Sequence, residues 1–134
     1  MKTLLSQVRE LAQRQAAKAP DMLVELYTVH DERLIWASPS HRQILGYDPE
    51  DLVGIHWKDI VDHTDHAHKA IMLQDALLTG GSMEIGFNII AKSGARRYVK
   101  VVDTLYTNPD TEDRYVICRT THIAPPTEEH PTPH

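Results

Sequence analysis

Cysteine is nearly missing: Cys118 stands alone in 134 residues, so no disulfide can form within the chain and no cluster of thiolates can hold a metal. Long apolar runs are missing too. The longest are a few residues, far short of the roughly 20 needed to cross a bilayer, and the first residues lack the apolar stretch of a signal peptide. A water-soluble protein in the cytoplasm, without membrane contact, is the expectation. There is no excess of positive charge. The formal net charge is −5, and basic residues are scattered except for Lys92, Arg96, Arg97 and Lys100 around one turn. That is a poor footprint for nucleic acid, so direct contact with it is not expected. No internal repeat is present. The length allows one hydrophobic core and leaves no room for a catalytic domain beside it. What remains is an ordinary globular mixture, 41% hydrophobic and 25% charged, which favours neither disorder nor a membrane class.

Residues 1–20 predict an amphipathic helix. Leu4, Leu5, Val8, Leu11 and Ala12 recur at helical spacing and Pro20 closes the segment, while Gln15 and Lys18 interrupt the seam before a long coiled coil could form. Residues 22–29 and 33–37 read as two strands of a hairpin joined at His30-Asp31-Glu32. Ser38 before Pro39 and Asp48 before Pro49 are placed to cap two short helices, ending at Gly46 and near Gly54. A longer helix is predicted over 64–79, with Ala67, Ala70, Ile71, Leu77 and Leu78 on one face and Gly80-Gly81 as its stop. Residues 83–91, 97–106 and 114–123 then alternate as strands around turns at Lys92-Ser93-Gly94 and Asn108-Pro109-Asp110. Residues 124–134 are Pro, Thr, Glu, His and one Ala, a tail expected to be disordered.

Two strands, a helical middle and three strands without βαβ alternation predict an α+β fold: a five-stranded antiparallel sheet with short helices packed on one face. In the middle of this pattern stand Trp36-Ala37-Ser38-Pro39-Ser40 and Ile44-Leu45-Gly46-Tyr47-Asp48-Pro49-Glu50-Asp51-Leu52-Val53-Gly54. They resemble the central stretch of the PAS family, in order and spacing. Asp62-His63-Thr64-Asp65 is similar to the His-Pro-Asp-Asp element before that family's long helix, and Lys92-Ser93-Gly94-Ala95-Arg96-Arg97-Tyr98-Val99 to its later hairpin. The resemblance implies a single PAS domain over residues 21–123, a sensor and dimerisation module rather than an enzyme. It also implies that a ligand or partner alters a signalling output, such as transcription regulation, through an effector domain or partner protein not in this chain. Two departures matter. Arg119-Thr120-Thr121-His122 stands where the family often ends in Asp-Ile-Thr. His56-Trp57-Lys58-Asp59-Ile60 replaces the Asn-Cys-Arg-Phe motif of its flavin photosensors, which argues against a flavin-cysteine adduct.

The expected pocket would be lined by Ile60, by Ile71 and Leu78 from the long helix, and by Ile85, Phe87, Ile89, Val99, Val101, Cys118 and Thr120 from the sheet. It would take a small organic ligand of unknown identity; core packing alone also accounts for these residues. His63, His66 and His68 are close enough in sequence to suggest a metal, but histidines among carboxylates at a helix start are ordinary surface groups. By the resemblance, His66 or His68 falls near the axial haem ligand of the family's gas and redox sensors. Cys118 reads as a buried small hydrophobe. The pairs Asp62 with Asp65 and Glu50 with Asp51 read as helix-end charges rather than a catalytic dyad. Leu4, Leu5, Val8 and Leu11 either cover the sheet of their own chain or form the interface of a homodimer.

Overall fold

In the computed structural model, residues 2–79 and 82–125 are described; Gly80-Gly81 and residues 126–134 of the expected tail lie outside them. Helix α1 (Leu4–Lys18) starts where the Thr3 hydroxyl accepts the Ser6 N–H at 3.0 Å, which satisfies one of the free donors of a first turn. Strands β1 (Val24–Thr28) and β2 (Leu34–Ala37) form the first hairpin, followed by short helices α2 (His41–Ile44) and α3 (Pro49–Leu52) and 3-10 turns at Trp57–Asp59 and His63–Asp65. Helix α4 (His66–Thr79) leads to β3 (Ser82–Ile90), β4 (Arg96–Thr107) and β5 (Arg114–Ile123). The sheet has five strands in the order β2-β1-β5-β4-β3, every pairing antiparallel. The expected α+β architecture is therefore present. Its last strand lies at the centre, between β1 and β4, so the two ends of the fold are joined directly.

Strand alternation splits the apolar residues between two layers. On the inner face Ile85, Phe87, Ile89, Val99 and Val101 pack with Leu45, Leu52, Trp57, Ile60 and Val61 from the helical middle. On the outer face Val8 and Ala12, four residues apart on α1, are buried against Val24, Leu26 and Ile117.

Three local expectations are corrected. Ser38 does not cap α2: its hydroxyl accepts the Val24 N–H at 3.0 Å, and Ser40, at the cap position, donates to the Met22 carbonyl at 2.7 Å, so the two serines tie the helical middle to the start of β1 and to the segment just before it. Asp48 makes no cap hydrogen bond and pairs with Arg42 at 2.8 Å instead, because an exposed guanidinium is the better partner for its carboxylate. The third concerns α4. Ile71 is 61% exposed and Leu78 81%, and Ala67 and Ala70 are exposed as well. The face turned to the sheet carries Lys69, Met72, Leu73, Ala76 and Leu77. The start of the helix sets its rotation. Asp62 accepts the Thr64 N–H and pairs with Arg96, while Asp65 Oδ2 accepts the Asn88 N–H of β3 at 2.8 Å. With Asp65 held on the sheet, the residues at helical spacing after it, Lys69, Met72 and Ala76, must follow on the same side.

Candidate functional site

The alternation that buries Val99 and Val101 carries on to Asp103, and the same rule on β1 and β5 turns Glu25 and Cys118 inward. Register places these three side by side across the strands: Glu25 opposite Cys118, and Cys118 opposite Asp103. Glu25 is 8% exposed and Asp103 3%. Two carboxylates in one interior row require cations. Lys69, 5% exposed, comes down from α4 to place Nζ 3.7 Å from Asp103 Oδ2. Its ammonium also sits 4.5 Å from the Phe87 ring centroid and 5.4 Å from that of Trp57, where the negative ring faces attract it. Burial by itself pushes this lysine down, and the acidic groups around it, Asp103 foremost with Glu25 farther off, together more than reverse that, so Lys69 stays charged with its pKa above the ordinary value.

Glu25 has its own partners. His41, 0% exposed, faces Glu25 Oε2 through Nε2 at 2.9 Å, and the Tyr27 hydroxyl donates to Oε1 at 3.1 Å. Burial pushes Glu25 up, but the hydrogen bond and charge of His41 hold it below the ordinary glutamate range. Burial, then Glu25, push the Tyr27 phenol well up, which keeps its proton in place as a donor.

Beside this row is a cavity of about 30 Å³, walled by Tyr27, Trp57, Lys69, Leu73, Asp103 and Cys118. At its rim Glu32, held at φ 56°, accepts the Trp57 indole N–H at 2.6 Å. Asp103 Oδ1 is buried and has no hydrogen-bond partner.

Of the residues expected to line a pocket, Cys118 borders this cavity. Ile60, Ile85, Phe87, Ile89, Val99 and Val101 are packed in the inner core. Thr120 is buried, but its hydroxyl both accepts from and donates to the Leu23 backbone, which takes it out of the cavity wall. Ile71 and Leu78 face outward for the reason given above. None of the histidines lines the cavity. His68 is exposed on α4, and His66 Nε2 donates to the Val61 carbonyl at 2.8 Å, so its ring nitrogen is already engaged. A haem macrocycle does not fit so small a cavity, and these residues do not suit one. Among the described residues no cluster of His, Cys, Asp or Glu can hold a metal ion. Burial pushes the Cys118 thiol well up, which disfavours the nucleophilic thiolate. Val8, read as an interface residue, is 2% exposed against its own sheet and so is withdrawn from any partner; Leu4, Leu5 and Leu11 remain half-buried at the margin.

The sequence matches the PAS domain family over residues 20–123. No curated protein sequence matches it. Solved structures similar to the chain include the PAS-B domain of Drosophila melanogaster Cycle with bound ethylene glycol, with a TM-score of 0.69 and 11% identity over 74% of this chain and 97% of that one. The PAS domain of a protein from Colwellia psychrerythraea superposes with a TM-score of 0.65 at 16% identity, covering 80% of this chain and 94% of the other. The N-terminal domain of a diguanylate cyclase with PAS/PAC sensor from Marinobacter aquaeolei gives 0.64 and 11%, covering 74% and 92%. At such identities the likeness concerns the fold alone.

Proposed function

The chain belongs to the PAS domain family, a family of sensory signal-transduction modules, and on that premise we propose that it is a non-catalytic sensor whose core cavity takes a small molecule. The observation that carries the reading is the polar lining of that cavity: a buried Lys69–Asp103 pair with one carboxylate oxygen unpaired, where a filled core would need only apolar side chains. A route to the exit of the domain supports it. Strand β5 runs from Cys118 at the cavity to Ile123, and Arg97 grips the Ala124 carbonyl at 2.8 Å and the Ile44 carbonyl at 3.1 Å. A change at the cavity wall thus has a stiff path to the C-terminal end, where an effector domain or partner protein would read it. The setting we propose is cytoplasmic; among the described residues no helix is long and apolar enough to cross a membrane.

Native mass spectrometry of freshly purified protein, together with thermal shifts across a metabolite panel, tests the reading. The expected result is a bound small molecule or a concentration-dependent rise in Tm. No bound species and no shift would leave the second reading, a protein-interaction module with a closed core, which the small cavity volume favours.

We also propose that α1 takes part in a homodimer through Leu4, Leu5 and Leu11, whose partly exposed side chains continue the outer-face cluster beside Tyr106 and Tyr115. Removing residues 1–19 is expected to shift the protein from dimer to monomer by light scattering. An unchanged oligomeric mass would take the helix out of the interface.

A further inference from the structure

We propose that the cavity recognises a hydroxyl group: Asp103 Oδ1 accepts its hydrogen, Lys69 Nζ donates to its oxygen, and the ligand is a small neutral alcohol or polyol. The inference rests on the preceding reading that the cavity takes a small molecule, and it names the chemistry.

Hydrogen-bond accounting leads there. A buried carboxylate oxygen without a donor bears its desolvation penalty uncompensated, and native interiors seldom leave one so. Three side-chain donors among the groups that line the cavity leave Asp103 Oδ1 without a hydrogen bond. Tyr27 gives its proton to Glu25, the Trp57 indole gives its own to Glu32, and the thiol of Cys118, a weak donor, leaves Oδ1 unsatisfied. Lys69 stands 3.7 Å from Oδ2, beyond the usual range of a hydrogen bond, so this is a contact between charges with room for an inserted acceptor.

Charge then selects among ligands. The Lys69–Asp103 pair is neutral as a unit. A carboxylate would add a negative charge beside Asp103 and Glu25 and could offer nothing to Oδ1, since it only accepts. An ammonium could bond to Oδ1 but would face Lys69 across a buried site. A hydroxyl donates and accepts from one atom and brings no charge to desolvate. Apolar surface from Leu73, Leu77 and Val116 completes the lining and suits a short carbon body. The volume of about 30 Å³ limits that body to very few heavy atoms unless α4 shifts; a single water requires about 10–15 Å³.

Amide ¹H–¹⁵N spectra of the whole chain, titrated with ethylene glycol, sodium acetate and methylammonium chloride, provide the test. Saturable shifts at Lys69, Asp103 and Cys118 are expected with the glycol only. They should weaken at least tenfold in the Lys69→Met/Asp103→Leu double variant, whose dispersed spectrum would show that it remains folded. The Leu77→Ala variant, with a larger cavity and the polar end intact, should extend binding to 1,2-propanediol. Saturable shifts at the same amides with acetate or methylammonium would overturn the hydroxyl assignment yet leave the cavity as a ligand site. A metabolite that raises Tm equally in wild type and double variant would do the same. Silence from every probe in wild type and Leu77→Ala would overturn both.

Discussion

Lys69→Met is expected to destabilise the domain by about 3–5 kcal/mol, and Asp103→Leu by a similar amount, whereas the double variant should lose far less than the two combined. Each single change leaves one charge inside the protein without its counter-charge, and an isolated buried ion is among the most expensive things a fold can contain. The pair together is a different matter, because its mutual attraction roughly offsets the cost of desolvating both groups. Removing both therefore exchanges one nearly neutral arrangement for another, with methionine filling the space of the lysine stem against Trp57 and Phe87. Since whole domains are stable by only about 5–15 kcal/mol, each single variant would use up much of the margin. Urea unfolding of the four proteins gives the coupling directly. Additive losses would show that Lys69 and Asp103 do not act as a pair. A pH dependence should accompany the wild type. Burial lowers the pKa of Lys69, but Asp103 and the other acidic groups around it bring it above the ordinary lysine value, so the stability gained from its charge is complete at neutral pH and fades only as alkali deprotonates the folded-state ammonium.

The sheet was legible in the sequence because strand period and turn residues carry the same message: Arg114–Ile123 is both the expected and the observed last strand, and Gly46 adopts the left-handed conformation (φ 85°) expected at its helix end. The polar half of the site was not read, for one physical reason. Hydrophobic periodicity sorts residues by type and assigns Lys, Asp and Glu to water. On α4 it picks Ala67, Ala70, Ile71, Leu77 and Leu78, of which Leu77 alone faces the sheet, and leaves out Lys69, whose side chain carries charge into the core. Yet the signal was there. Val99, Val101 and Asp103 share one strand parity, as do Glu25 and Tyr27, so an inward Val101 already implied an inward Asp103. Two inward carboxylates call for buried partners, and the Lys69 ammonium and the His41 ring are what the helical middle supplies. The hydroxyls of Ser38 and Ser40 were misread for a similar reason. Ser-Pro is a good helix start locally, but Val24 of β1 and Met22 just before it lie close enough in three dimensions to claim one hydroxyl each.

His41→Ala is expected to cost about 3–5 kcal/mol, since it would strand the Glu25 carboxylate in the core. The proton accounting around His41 is closed. Ser40 donates its hydrogen to the Met22 carbonyl, Ser38 donates to Ser40 at 2.6 Å, and the Ser38 oxygen is occupied by the Val24 N–H. No hydroxyl hydrogen is left for the imidazole. Nδ1 lies 2.8 Å from the Ser38 carbonyl, which can only accept, and Nε2 faces a carboxylate that already accepts from Tyr27. Nδ1 therefore donates to the Ser38 carbonyl, and Nε2 shares a hydrogen bond with the Glu25 carboxyl group inside the protein. The acid limb of stability follows from Glu25, whose pKa His41 holds below the ordinary glutamate value in spite of burial. The stabilisation this depression supplies is complete above about pH 4.3 and is lost as pH falls through the depressed folded-state value. Glu25→Gln removes the titrating group, so the difference in stability between wild type and this variant should shrink as acid is added. A difference that stays constant from neutral pH down to the acid transition would mean that Glu25 is not charged in the folded protein, and the ion pair would have to be redrawn as a neutral hydrogen bond.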